Sequence, residues 1–162
     1  IKPFLQKDLD YLLMSYHGLP EQQMVHGSGA LRCDLIKPCP AINAANKNCY
    51  RAQCYQTSRL LAKSLQLDDA KWGLGFQSRL GRLPWIKPYT DELLVDLRQR
   101  GVKKLLITCP SFVADCLETL EEIGMRARKQ WLDLGGESIE LIPCLNAQAD
   151  WIEMLSTCIR KY

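Results

Sequence analysis

Residues 103–109, KKLLITC, decide the fold: a short, nearly continuous apolar run closed by Pro110 reads as a buried strand that stops at a loop. Working outward, Thr90 is placed as the cap of a preceding helix, with Asp91 and Glu92 in its first turn, where acidic groups suit the helix dipole, and Gly101 at its stop. On the other side an amphipathic helix is predicted from about Phe112 to Gln130, with an interruption near Gly124. Further strands are predicted at Trp72 to Gln77 and at 138–143, SIELIP. The first strand is the apolar run DYLLMSY between Asp8 and Tyr16, ended by His17-Gly18-Leu19-Pro20. Two more helices run from Asn48, as cap, to about Leu67 and from about Ala147 to Arg160. The order β-α-β-α-β-α-β-α predicts an α/β, three-layer domain: a four-stranded parallel sheet with helices on both faces, joined by right-handed crossovers.

The bulk properties agree with one such domain. The chain has 162 residues, 47% hydrophobic and 24% charged, an ordinary globular balance. No stretch approaches the ~18 consecutive apolar residues of a bilayer span. The net charge of +3, from basic residues scattered among acidic ones, argues against a nucleic-acid partner. Neither GxGxxG nor GxxxxGK[ST] occurs, and His26-Gly27-Ser28-Gly29 is too short for a phosphate cradle, so a dinucleotide or ATP role loses its support. The chain begins Ile1-Lys2-Pro3 with neither an initiator Met nor a signal core, and is expected to be a fragment of a longer protein.

Ligands of open parallel sheets bind beyond the carboxyl ends of the strands. That edge holds His17, Gln77-Ser78-Arg79, Cys109-Pro110-Ser111 and Cys144-Leu145-Asn146. His17 there is either a base or metal ligand near neutral pH, or a histidine bonded to the backbone of its own turn. Asp115, Glu118 and Glu122, spaced by three and four, are expected to form one acidic helix stripe, with Val113, Leu117 and Leu120 opposite. Such a stripe passes protons or holds a cation, with at least one pKa raised by its like-charged neighbours if it is partly buried; the plainer alternative is a solvated helix face. Trp85, after Pro84 in a loop, is either a flat surface for a planar ligand or a core anchor.

Of eight cysteines, four (Cys33, Cys39, Cys49 and Cys54) crowd into a polar loop region, 21–54, with no core in which to act as hydrophobes. They suggest a metal site, and the absence of paired C-x-x-C spacing favours iron–sulfur over zinc while leaving zinc or adventitious disulfides open.

The stretches LLMSYHGLPE, YRAQCYQTSRLLAKSL, FQSRLGRLPWIKPYTDELL, ITCPSFVADCLETLEEI and IPCLNA run through most of the chain, and with them it resembles the carboxyl-terminal half of ferrochelatases, most closely those of Gram-negative bacteria. The resemblance implies a chelatase-like domain over 1–162, one of two similar domains, whose amino-terminal partner supplies the other wall of a porphyrin cleft. It implies insertion of ferrous iron into protoporphyrin IX, the final step of protoheme synthesis. His17 falls on the proton acceptor or metal ligand, Glu118 on its paired glutamate, and Asp115 and Glu122 on positions of a proton or metal path. Trp85 falls on the porphyrin-facing wall, with Gln77, Ser78 and Arg79 beside it. The extended loop resembles a variant in which an internal four-cysteine segment holds a two-iron two-sulfur cluster. A cytoplasmic enzyme is implied, meeting its porphyrin at the inner membrane, although no basic amphipathic helix demands peripheral contact. The isolated half is expected to fold with little or no activity. The rival readings are a non-enzymatic iron–sulfur module that kept the fold, and a chelatase for another tetrapyrrole or metal.

Overall fold

The structure, a computed structural model, describes residues 1–5, 8–27 and 37–161. Four parallel strands, β1 (Tyr11–His17), β2 (Trp72–Gln77), β3 (Lys104–Thr108) and β4 (Ser138–Leu141), lie in the spatial order β2-β1-β3-β4. Alternate side chains of β1 enter opposite cores. Leu12, Met14 and Tyr16 pack with Leu106 beneath α3 (Tyr50–Ser64), whereas Tyr11 and Leu13 pack with Leu105, Ile107 and the fully buried Trp131. Both sheet faces are therefore covered, which is why the strands read as unbroken apolar runs. The expected α/β architecture is present. Because the chain steps from β1 to β2 on one side and then to β3 on the other, strand order reverses beside β1, and the crevice at the carboxyl end of β1 and β3 is where such sheets bind ligands.

Several local expectations are corrected. A short α1 (Lys2–Leu5) precedes β1, and α2 (Glu21–Gly27) lies in the stretch read as loop. Helix α3 starts at Tyr50 with Cys49, not Asn48, at the cap position and no side-chain capping bond. Thr90 does not cap α4 (Thr90–Gln99): Tyr89 holds the cap position, and the Thr90 hydroxyl instead meets that of Ser15 at 2.8 Å, satisfying two buried polar groups. The helix expected from Phe112 begins only near Glu118, as a π-helix (Glu118–Ala127) that passes Gly124 unbroken and continues into α5 (Arg128–Asp133). Its core face is Thr119, Ile123 and Ala127, four residues apart as the wider i→i+5 turn favours. Val113, Leu117 and Leu120, expected on the apolar face opposite the carboxylates, are 53%, 77% and 54% exposed. The last helix, α6, spans Ala149–Ile159. Among the described residues no helix is long and apolar enough to cross a membrane.

Candidate active site

His17 is the last residue of β1, and three bonds hold it. Its main-chain N–H donates to Ser111 Oγ (3.1 Å), and its carbonyl accepts from Tyr50 OH (2.7 Å) at the start of α3. Its Nδ1 lies 2.6 Å from the Gly18 carbonyl oxygen. A carbonyl can only accept, so Nδ1 carries a proton, and in the neutral imidazole Nε2 presents its lone pair as an acceptor. The backbone-bonded histidine and the available base are thus one arrangement. The imidazole sits between two aromatic rings, Trp85 at 6.3 Å and Phe112 at 6.1 Å between centroids.

Trp85 reaches this position because residues 78–89 fold back over the sheet edge. Ile86, fully buried, donates its N–H to Leu19 O (2.9 Å), Glu21 N–H donates to Pro84 O (2.9 Å), and Phe76 N–H to Pro88 O (2.8 Å). Trp85 Nε1 closes the loop on Leu80 O at 3.0 Å. Gly18 allows the close approach: a Cβ there would lie 2.9 Å from Gln77 O and 3.1 Å from Trp85 Cε3.

The π-helix brings Glu118 and Glu122 to the end of β2. Gln77, 3% exposed, donates from Nε2 to Glu118 O (2.6 Å) and to Glu122 Oε2 (3.3 Å), while its Oε1 accepts from Ser15 Oγ (2.7 Å). Glu122 also accepts from the Ser78 N–H and hydroxyl, both at 2.8 Å. Hydrogen bonds from Cys116 and from the Glu118 main-chain N–H hold the Glu118 carboxyl below the usual carboxylate range. Asp115 is not on the helix with them. Its carboxylate accepts from Asn146 Nδ2 (2.7 Å), Cys144 N–H (3.1 Å) and Thr119 Oγ1 (3.4 Å), and these bonds, Asn146 foremost, lower its pKa. The expected single stripe of three is therefore divided into a pair on the π-helix, Glu118 and Glu122, and a separate bracket at Asp115. Hydrogen bonding to the ionised form outweighs the cost of desolvation at both Asp115 and Glu118.

Arg79 points toward α4, ion-paired to Asp91 (2.5 Å) and stacked over Tyr89 (4.2 Å). With Gln77, Ser78, Glu122 and Arg126 it lines a polar cavity of about 390 Å³. Ser111, Phe112, Tyr50 and Asn146 were not singled out as site residues in the sequence. The sheet-edge rule already covered the segments of Ser111 and Asn146, but nothing local marks Tyr50 or Phe112.

Cys33 lies outside the described residues. Cys39, Cys49 and Cys54 are buried in the core beside α3, which corrects the expectation that they lack a core. Among the described residues no three metal-binding side chains converge into a ligand group. Cysteine sulfur is the donor type that holds iron–sulfur clusters. Burial, with Cys39 and Cys49 close enough to act on its charge, pushes the Cys54 thiol up to about 12, and Arg51 Nη1 donates to Cys39 Sγ at 3.1 Å. Cys39, Cys49 and Cys54 belong to one buried core, with the Arg51 cation at Cys39.

The ferrochelatase family profile matches residues 1–162. A ferrochelatase of Coxiella burnetii (strain Dugway 5J108-111) is 54% identical over 153 residues, covering 94% of this chain and 43% of that protein. One from Legionella pneumophila (strain Philadelphia 1) is 53% identical over 163 residues, covering 99% of this chain and 48% of its own length. The chain spans a little under half the length of these relatives.

Proposed function

Because this chain belongs to the ferrochelatase family across residues 1–162, we propose that it is the carboxyl-terminal, metal-inserting half of an enzyme that places ferrous iron into protoporphyrin IX to form protoheme. The amino-terminal half of the longer protein supplies the opposite wall of the cleft. The observation that carries the reading is the His17 Nδ1 contact to Gly18 O, which leaves Nε2 as a base beside Glu118, between Trp85 and Phe112.

Metallation must remove two pyrrole N–H protons while the cation loses its waters. His17 Nε2 takes a proton from the macrocycle, and the ionised Glu118 attracts the incoming cation and receives protons in turn. Glu122, held at Ser78, passes protons to the polar cavity. Asp115 keeps the helix entrance fixed to the Cys144–Asn146 segment, because its oxygens are engaged there. Trp85 offers the macrocycle a flat wall, and Gln77, Ser78 and Arg79 support its edge. Binding energy at such a wall bends the ring and exposes nitrogen lone pairs.

Cys33, Cys39, Cys49 and Cys54 are the ligands proposed for a two-iron two-sulfur cluster, supported by the buried thiols and the cation beside them. When bound, the cluster supplies a one-electron couple and fastens the cysteine-rich segment to α3. In the full-length protein, His17→Ala is expected to lower anaerobic metallation by roughly 10²–10⁴-fold with an unchanged far-ultraviolet spectrum. Retained activity overturns the role of His17.

A further inference from the structure

Gln77, the last residue of β2, is buried, and all four hydrogen-bonding positions of its side chain are taken. Its Nε2 donates to Glu118 O (2.6 Å) and to Glu122 Oε2 (3.3 Å), and its Oε1 accepts from Ser15 Oγ (2.7 Å) and from Cys109 Sγ (3.5 Å). Exchanging the amide N and O would set an oxygen against a carbonyl and a carboxylate, so hydrogen-bond chemistry permits one orientation. Ser15, fully buried, gives its hydrogen to Gln77, and its 2.8 Å contact with Thr90 therefore runs from the Thr90 hydroxyl to Ser15 Oγ. Gly75 lets α4 come this close, since a Cβ there would lie 2.9 Å from Thr90 Oγ1 and 3.2 Å from Thr90 Cα. A directional chain thus runs from Thr90 on α4 through Ser15 on β1 and Gln77 on β2 to Glu118 and Glu122 on the π-helix.

We propose that Gln77 is a positioning residue for Glu118 and Glu122, oriented by the buried Ser15–Thr90 hydroxyl pair, and that it acts on the rate of metal insertion and not on porphyrin affinity. This rests on the reading of His17 and Glu118 as the groups that serve insertion. Glu118 is the first residue of the π-helix, a turn found mostly at functional sites. One bond from Gln77 Nε2 fixes the main chain at that residue, and the other fixes a carboxylate four residues on. In the sheet Gln77 pairs with His17, so the strand end beside the base also anchors the peptide that carries the facing acid. A small displacement of one reacting group from the other is enough to cost rate while substrate binding is kept. With its four positions engaged, the amide keeps no free polar group for the macrocycle, which meets at most its packed surface.

The test measures kcat and KM for protoporphyrin IX and ferrous iron, without oxygen, in the full-length protein and in its Gln77→Glu, Ser15→Ala, Thr90→Val and Thr90→Ser variants. Gln77→Glu keeps the size and the oxygen that faces Ser15 but turns a second oxygen toward Glu118 O and Glu122. Its kcat is expected to fall about 10²-fold, with KM for the porphyrin within about twofold of wild type. Ser15→Ala and Thr90→Val are each expected to lower kcat about threefold and their double variant no further, because both act through one chain. Thr90→Ser, which keeps the hydroxyl, is expected to match wild type. A raised KM with unchanged kcat in Gln77→Glu overturns the proposal in favour of direct porphyrin contact, and wild-type values of both overturn it outright. If Gln77→Glu does not fold, the hydroxyl variants decide: a kcat lowered in Thr90→Val and restored in Thr90→Ser supports the proposal, and wild-type kcat in Ser15→Ala and Thr90→Val overturns it. His17→Ala, run beside them, separates the two readings. If it retains activity, the reading of the site falls and this proposal with it, whereas an inactive His17→Ala beside an unaffected Gln77→Glu overturns the role of Gln77 alone.

Discussion

Ser78 grips Glu122 with two groups at once: its main-chain N–H reaches Oε1 and its hydroxyl reaches Oε2, both at 2.8 Å. Ser78 adopts φ of 65° to do so, a left-handed conformation that costs a residue with a Cβ. Strand β2 is thus followed directly by a strained residue whose strain is matched by a fixed carboxylate on the facing π-helix.

Substitution separates the two terms. Ser78→Ala loses the hydroxyl bond and keeps the strain, and is expected to destabilise the protein by about 1 kcal/mol at this partly exposed site. Ser78→Gly loses the same bond and relieves the backbone, so it is expected to be more stable than Ser78→Ala by about 1 kcal/mol. Urea unfolding of both variants checks the order, and an Ala variant as stable as the Gly variant would show that the left-handed backbone carries no cost.

Gly18→Ala tests the close approach under Trp85. The added methyl meets a backbone oxygen at 2.9 Å and the indole at 3.1 Å, and the oxygen belongs to a sheet edge that yields little. Destabilisation of about 1–3 kcal/mol is expected from such overpacking. The indole is also displaced from His17, which would appear as a shift in tryptophan emission relative to a Gly124→Ala control, where the new Cβ meets only ordinary contacts at 3.5 Å.

The strands were legible in the sequence because burial on both faces writes itself as apolar runs between proline and glycine, and β1 and β3 needed nothing more. The π-helix was not. An α-helical period places Leu117 and Leu120 opposite the carboxylates, but the wider turn buries Thr119, Ile123 and Ala127 and leaves those leucines outside. Position along the sheet edge was enough to find His17, Gln77 and Ser78, since it follows from strand direction alone. What the cysteines touch was hidden, because a polar loop can lie over a core supplied by α3, a tertiary fact that local composition does not carry. Tyr50 was hidden for the same reason: its partner, the His17 carbonyl, is 33 residues away.

Asp115 makes acid stability a readout of the bracket at the π-helix entrance. Its folded pKa lies below the ordinary 3.8, lowered first by the Asn146 amide and then by the Cys144 N–H and thiol and Thr119. The stabilisation is therefore complete above the ordinary value and is lost as the pH falls through the depressed one. Thermal unfolding of wild type and Asp115→Asn is expected to differ at pH 7 and to converge below pH ~4. A gap that widens on acidification would mean that the carboxyl is bound in its protonated form.

Tyr50 follows Cys49 and donates to the carbonyl of His17 at 2.7 Å, so the residue after a proposed cluster ligand directly holds the proposed base. Burial pushes its phenol pKa up, so the hydroxyl stays a donor throughout the neutral range. Tyr50→Phe removes the bond to His17 O, worth about 1 kcal/mol, together with the hydroxyl's contacts to Cys54 and Ser111, and is expected to slow metallation by the full-length protein roughly fivefold. If the cluster acts on the site through this contact, Cys49→Ser should slow the reaction by a similar factor, and the double variant should be no slower than either single one. Multiplicative losses in that cycle would show that the cysteine-rich segment and His17 are energetically independent, and the route through Tyr50 would be excluded.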